Sequence, residues 1–386
     1  MVAQTSIFRI PAQITIGRGS ADSVGMEAKR LGGTNVFVIS DPALQSLGIT
    51  DQIVASLKAQ GLGTAVYAAI APEPVIDSVG PCLAAALASG CNLVVGVGGG
   101  SALDTGKAIA MLLGNGGSVR DYLGVGVVPK RGVPSIMIPT TAGTGAEVTP
   151  NALFQVPELQ DKRAVVSPYI IPDVAIIDPL LTLSVPPKVT ASTGMDALCH
   201  AIESYTSVKA SVLTEPYSLE AIRLIGNNLR IVVADGSNLE AREAMAKGSL
   251  LAGISIASAG TNAVHALAYP VQGRYHVPHG IANSLLLPYV MVFNCLGDLD
   301  KFPRVAEALG ETTIGMTVLA AAEKSAEACR VLADDIGIPK HLSDVGLTPG
   351  DIDALAEGAM QQTRLLDNNP RPVRPEDARA IFEKAM

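Results

Sequence analysis

Asp196 and His200 stand four residues apart in Asp196-Ala197-Leu198-Cys199-His200, and His265 and His279 follow further along the chain. If 196–200 is helical, positions i and i+4 share one face. One carboxylate and three imidazoles then make a four-donor set for a divalent metal. Such a set suits Fe²⁺, Co²⁺ or Zn²⁺ far better than Ca²⁺ or Mg²⁺. A metal of that kind with an open position is a Lewis acid, so the pattern points to chemistry. A lone Asp-x-x-x-His is more often a cap or a surface hydrogen bond. Here three of the five histidines join the set, and only His276 and His341 stand outside it.

A second group of residues points to a nucleotide. Gly98-Gly99-Gly100-Ser101 follows an apolar run and opens a helical stretch from Ala102 to Leu113, with Asp104 and Lys107 in its first two turns. Glycines let backbone approach a phosphate, and a helix N-terminus supplies free N–H groups and a positive partial charge. The competing reading is a tight turn that needs glycine for its own geometry. The order of parts is not that of the standard dinucleotide fingerprint, in which a ribose-binding acid follows the glycines by about 20 residues. Here the candidate acid, Asp41, precedes them. Its carboxylate suits ribose hydroxyls and repels a 2′-phosphate, which favours NAD over NADP; a turn role in Ser40-Asp41-Pro42 competes equally. Pro139-Thr140-Thr141-Ala142-Gly143-Thr144 is a second loop of small and hydroxyl residues, suited to a pyrophosphate or ribose. A threonine-rich helix cap is its plainer reading.

These groups need elements to hold them. Val36–Ile39, Leu93–Val97, Ser135–Ile138 and Val174–Ile177 read as buried strands, and Ile7 to Ile16 as one or two short ones. Helical stretches 45–60 and 76–89 lie between some of them. Such alternation implies a parallel sheet with helices on both faces. Beyond about residue 185 the runs 188–206, 214–231, 239–260 and 315–337 are long and helical in period. Pro186-Pro187 marks the break. The expected architecture is therefore α/β plus all-α. Residues 1–185 form a Rossmann-like parallel-sheet dinucleotide-binding domain and residues 186–386 an all-helical domain carrying the metal set.

Composition agrees. The chain has 386 residues, 48% of them apolar and 17% charged, enough apolar matter for two large cores. So low a charged fraction also suggests apolar surface buried between subunits of a homo-oligomer. The net charge is −8 with no basic stripe, so no nucleic acid partner is expected. The N-terminus carries no leader pattern. The most apolar stretch, 284–294, is too short to span a membrane. Five widely spaced cysteines argue against a disulfide framework and fit a reducing cytoplasm.

Together these segments resemble the iron-containing (group III) alcohol dehydrogenase family. The resemblance runs through Gly17-Arg18-Gly19, Asp41-Pro42, the 98–107 and 139–144 segments, Thr193 through Glu203, and His265 through Pro288. It implies an NAD-dependent, metal-assisted alcohol dehydrogenase, or aldehyde or ketone reductase, that moves a hydride between a small alcohol and nicotinamide. The metal ligands it implies are Asp196, His200, His265 and His279, with Fe²⁺ favoured and Zn²⁺ the other candidate. The NAD contacts it implies are Asp41, Gly98, Gly99, Ser101, Asp104, Thr140, Thr141, Thr144 and Lys162. Many members place a further histidine four residues after the third ligand; here that residue is Tyr269, which joins the four ligands as a catalytic candidate. A phenol with a pKa of about 10 carries protons poorly at neutral pH. Zinc-dependent polyol dehydrogenases and dehydroquinate-synthase-like lyases of the same superfamily are the alternatives.

Overall fold

The structure, a computed structural model, describes residues 5–159 and 161–386. Residues 1–4, part of the stretch read as lacking a leader, lie outside the described residues, as does Gln160. The chain divides into two compact units. One is Arg9–Ser184; the other is Val185–Met386, which also takes residues 5–8.

The first unit is built on a six-stranded sheet. Its strands are β1 (Gln13–Ile16), β2 (Asn35–Ile39), β3 (Gly63–Tyr67), β4 (Leu93–Gly98), β6 (Ser135–Pro139) and β9 (Val174–Ile177), in the spatial order β1-β9-β6-β4-β2-β3. Every pairing is parallel. The central strands are valine- and isoleucine-rich and almost wholly buried, the composition of a sheet covered on both faces. Alternate side chains serve opposite cores. Phe37, Ile39 and Val94 pack with Val79 of α4 (Val79–Ser89) and Ile109 of α5 (Gly100–Asn115). Val36, Val38, Leu93 and Val95 pack with Val24 and Ala28 of α1 (Val24–Arg30), Leu44 of α2 (Pro42–Ser46), and Ile53 and Leu57 of α3 (Ile49–Ala59).

Several features depart from the sequence reading, and β3 is a strand that it lacked. Of the stretch 7–16 only Gln13–Ile16 is strand, because Pro11 interrupts what precedes it. The expected helix 45–60 is two helices, broken where Gly48 takes a left-handed conformation at φ 76°. A small second sheet also appears. In it β7 (Asn151–Val156) and β8 (Asp161–Val166) pair antiparallel, and β5 (Gly124–Val125) pairs parallel to β8.

No strand follows Ile177 among the described residues. The second unit contains α6 (Pro187–Thr206), α7 (Glu215–Ala234), α8 (Leu239–Ala259), α9 (Ala263–Tyr275) and α10 (His279–Asn294). After them come α11 (Lys301–Ala308), α12 (Val318–Asp335), α13 (Ile352–Met360), α14 (Thr363–Leu366) and α15 (Pro375–Ala385). α6, α7 and α8 pack on one another, and α10 packs on α6, α9 and α12. The approach of α10 to α6 needs a glycine. A Cβ on Gly280 would lie 2.1 Å from the Ser192 carbonyl oxygen, so any side chain there would drive the helices apart. The apolar helical stretch is also longer than the sequence reading gave it. His279–Gly297 spans 19 residues, and 67% of its most apolar window is buried inside the fold, as for a core helix.

Candidate metal centre and nucleotide site

The four expected ligands come together. Asp196 and His200 occupy successive turns of α6, His265 lies in the first turn of α9, and His279 is the first residue of α10. One donor atom from each lies within 4.8 Å of all the others. From Asp196 Oδ1, His200 Nε2 is 3.8 Å away, His265 Nε2 3.9 Å and His279 Nε2 3.5 Å. Four ligands at about 2.1 Å around a tetrahedral ion sit roughly 3.4 Å apart, so the set has the span of a first-row metal site. Asp196, His200 and His265 are buried, where converging lone pairs cannot turn to water. Burial opposes ionisation of Asp196, but the surrounding histidines and the Asn283 amide outweigh it and hold its pKa down at about 2. An acid that stays anionic in a buried pocket, facing three imidazoles, fits a bound cation.

Other polar side chains orient these donors. Glu203, one turn beyond His200 on α6, bonds through Oε2 to His265 Nδ1. Gln272 Oε1 meets His279 Nδ1 at 2.9 Å. Both contacts use the Nδ1 side and leave Nε2 of His265 and His279 to face Asp196. Asn283 donates through Nδ2 to Asp196 Oδ1 at 2.8 Å, and its buried Oδ1 has no partner. Burial pulls the His265 pKa down, but Glu203 and Asp196 outweigh it and the net direction is up. Tyr269 stands beside the ligands, its ring edge-on to His265 at 6.3 Å and tilted to His279 at 6.2 Å between centroids. His276 takes the left-handed position that ends α9 and is exposed.

In the α/β unit, β4 runs into α5 through the expected glycines. Gly98 has φ 150°, and a Cβ on it would lie 2.7 Å from Ala102 Cβ and 3.5 Å from Asp41 Oδ2. Ala102 N and Leu103 N donate to Gly99 O at 3.1 and 3.2 Å, and a helix start of this kind leaves its earliest N–H groups without an intrahelical partner. Asp41 takes the turn role weighed for it. Its Oδ1 caps α2, accepting from Ala43 N at 2.9 Å and Leu44 N at 3.0 Å, while Oδ2 lies on the Gly98 side. Thr140 N donates to Gly98 O at 3.0 Å. Thr141 and Thr144 border Gly99 and Gly100. Asp41, Gly98, Gly99, Thr140, Thr141 and Thr144 are thus one neighbourhood.

The remaining candidates are engaged differently. Ser101 Oγ accepts from the backbone N–H of Glu73 at 3.1 Å. Lys162, expected from resemblance alone, is not a free surface lysine: its Nζ lies 3.6 Å from Glu73 Oε2. Asp104 pairs with Lys107 at 2.8 Å and accepts from Leu153 N at 3.0 Å, so its carboxylate ties α5 to the small sheet.

Residues 11–179 match the profile of the iron-containing alcohol dehydrogenases, and residues 190–386 that of the Fe-containing alcohol dehydrogenase family, C-terminal. The chain belongs to the iron-containing alcohol dehydrogenase family. Long-chain-alcohol dehydrogenase 1 of Geobacillus thermodenitrificans is 42% identical to it over 386 residues, covering 99% of this chain and 97% of the relative. The NAD-dependent methanol dehydrogenase of Bacillus methanolicus is 36% identical over 379 residues, covering 98% and 99%. The crystal structure of a 1,3-propanediol oxidoreductase is similar with a TM-score of 0.96 at 38% identity, covering 99% of this chain and 100% of that one. The protein is an oxidoreductase of the alcohol dehydrogenase class, and its fold is the Rossmann-like sheet domain plus helical domain of that family.

Within this iron-containing alcohol dehydrogenase, sequence reasoning passed over Glu203, Gln272, Asn283 and Glu73. The first three carried a usable signal. Glu203 is three residues beyond His200, Gln272 seven beyond His265 and Asn283 four beyond His279, so each continues a ligand-bearing helical face. Glu73 carried none, because its partners come from other strands and helices.

Proposed function

We propose that this enzyme interconverts a small alcohol and its aldehyde or ketone, with NAD as the hydride carrier and a divalent metal, Fe²⁺ in the first instance, as Lewis acid. The observation that carries this reading is the convergence of Asp196, His200, His265 and His279 within 4.8 Å. When bound there, the ion supplies Lewis acidity toward the alcohol or carbonyl oxygen. The chain's own residues do the rest. Asp196 supplies the buried negative charge, and Glu203 and Gln272 hold two imidazoles with Nε2 toward it. Tyr269 walls the ligand cluster with an aromatic face. In the α/β unit the N-terminus of α5, with Gly98 and Gly99, receives the pyrophosphate. Thr140, Thr141, Thr144 and Ser101 line that turn, and Asp41 Oδ2 takes the ribose hydroxyls. Its charge disfavours a 2′-phosphate, the basis for naming NAD rather than NADP.

The test is metal analysis of anaerobically purified protein, paired with an NADH absorbance assay over a panel of primary alcohols and aldehydes. Wild type is expected to hold one divalent ion per chain and to turn over members of the panel. His265→Ala should lose the ion and reduce turnover by about three orders of magnitude, the scale of several kcal/mol of Lewis-acid stabilisation, with the fold unchanged by circular dichroism. Full turnover in a metal-free variant would sink the proposal.

A further inference from the structure

The orienting partners of the ligand histidines are not equivalent. Glu203 is buried at 1% exposure and is held from several sides. Its Oε1 accepts from Asn262 N and Val264 N at 2.9 Å each and from His265 N at 3.3 Å. These are free N–H groups at the start of α9, so the carboxylate caps that helix as it contacts His265 Nδ1. Asn262 closes the loop by donating through Nδ2 to the Glu203 carbonyl at 3.0 Å. A carboxylate can only accept, so His265 must carry its proton on Nδ1 and offer Nε2 as a lone pair. A charged acceptor also strengthens that lone pair as a donor.

His279 has a weaker arrangement. Its partner is the neutral Gln272 amide, which offers an acceptor at one end and a donor at the other, and the donor end is buried without a partner. Nothing in an amide compels one histidine tautomer as a carboxylate does. His279 also opens its helix, just after Pro278, and its side chain is 24% exposed against 3% for His265.

We infer that the metal centre is asymmetric by construction: Glu203 is a positioning residue that makes His265 the anchored ligand, and His279, whose Nδ1 meets a neutral amide rather than a carboxylate, is the ligand that releases first. This rests on the metal reading above. It goes further by ranking the ligands and naming the side from which the ion is exchanged.

The experiment uses the full chain loaded with Zn²⁺. It measures affinity by competition with a chromophoric chelator and the release rate into excess chelator. Glu203→Gln is expected to lower Zn²⁺ affinity by about 10–100-fold. In the metal-free full chain the ¹⁵N spectrum of His265 should show its proton divided between the two nitrogens, a change that a merely structural role for Glu203 would not produce. Gln272→Ala should speed release with a smaller loss of affinity. Gln272→Glu gives His279 a carboxylate partner and should slow release below the wild-type rate; this variant leaves the Glu203 cap of α9 untouched. Unchanged affinity and tautomer in Glu203→Gln, or release from Gln272→Glu no slower than wild type, would overturn the inference. Wild type that binds no Zn²⁺ would overturn the metal reading itself, a different outcome from equal behaviour of wild type and variants.

Discussion

Each unit of this enzyme buries a polar cluster, and the two are built on opposite plans. In the α/β unit, Asp104, Lys107 and Glu147 are all buried. That cluster contains its own cation: Lys107 Nζ pairs with Asp104 at 2.8 Å and donates to Thr149 Oγ1 at 3.4 Å and to the Asn151 carbonyl. In the helical unit, Asp196 and three histidines turn their lone-pair atoms toward one point, with Glu203 and Gln272 contacting ring nitrogens on the far side. The first cluster closes on itself and ties α5 to the small sheet. The second is assembled so that something positive completes it. A count of buried charged residues would not separate them; the direction of the donor atoms does. Among the nucleotide-site candidates, Asp104 is the one whose carboxylate belongs to this closed cluster, through Lys107 and Leu153 N.

The sharpest way to break this comparison is to titrate the closed cluster. Burial pushes the Glu147 carboxyl up from its usual 4.5 to about 7, with Lys107 pulling it part of the way back. A carboxyl whose folded pKa lies above its unfolded value gives its full stability below the unfolded value. That stability is lost as pH rises from 4.5 through about 7. The gap corresponds to about 3 kcal/mol. Glu147→Gln removes the ionisation and keeps the shape, so it should gain stability over wild type at pH 8 and little or none at pH 4.5. Calorimetric melting of both proteins at the two pH values checks this. An equal offset at both would mean that Lys107 already compensates the charge fully.

The same contrast explains what was legible in the chain. The ligand set was readable because metal chemistry demands particular residue types, and helical spacing brings Asp196 and His200 to one face. Long strands such as Val36–Ile39 and Leu93–Val97 were readable because burial on both faces leaves an unbroken apolar run. The small sheet was not: β7 alternates buried and half-buried residues, and its partner β8 carries Lys162 and Arg163, so neither reads as a core strand. Glu73 was equally hidden. It takes a left-handed φ of 52°, and contacts Ser101, Gln155 and Lys162 from outside its own stretch of chain. Local pattern reports what a residue type does along its own helix or strand, whereas these contacts exist only once separate elements have been brought together.

Asp41 offers a smaller test, on the α/β side. One oxygen is committed to the cap of α2 and the other lies beside Gly98, so structural and binding roles can be separated. Asp41→Asn keeps an acceptor for the cap and removes the charge. It should raise the preference for NADP relative to NAD, measured as the ratio of kcat/KM values, by about tenfold, the scale of a 1.4 kcal/mol electrostatic term. Asp41→Ala also loses the cap and should cost about 1 kcal/mol of stability as well. A ratio that stays fixed in Asp41→Asn would reduce Asp41 to a helix cap.

The smallest expected effect falls at Tyr269, and it decides where the open cluster ends. The ring contacts two ligand histidines, so the residue belongs to the site by position. Position does not make it a proton carrier, since a phenol is in general a poorer proton carrier at neutral pH than an imidazole. If its contribution is the aromatic wall, Tyr269→Phe keeps the ring and loses only a hydroxyl. Turnover should then fall by less than about tenfold, the cost of one ordinary hydrogen bond, and the pH–rate profile should keep its shape. A loss of a hundredfold or more with a shifted acid limb would place the hydroxyl in the proton path. In that case Tyr269→His should restore turnover at neutral pH, because an imidazole exchanges protons in the range where the phenol does not.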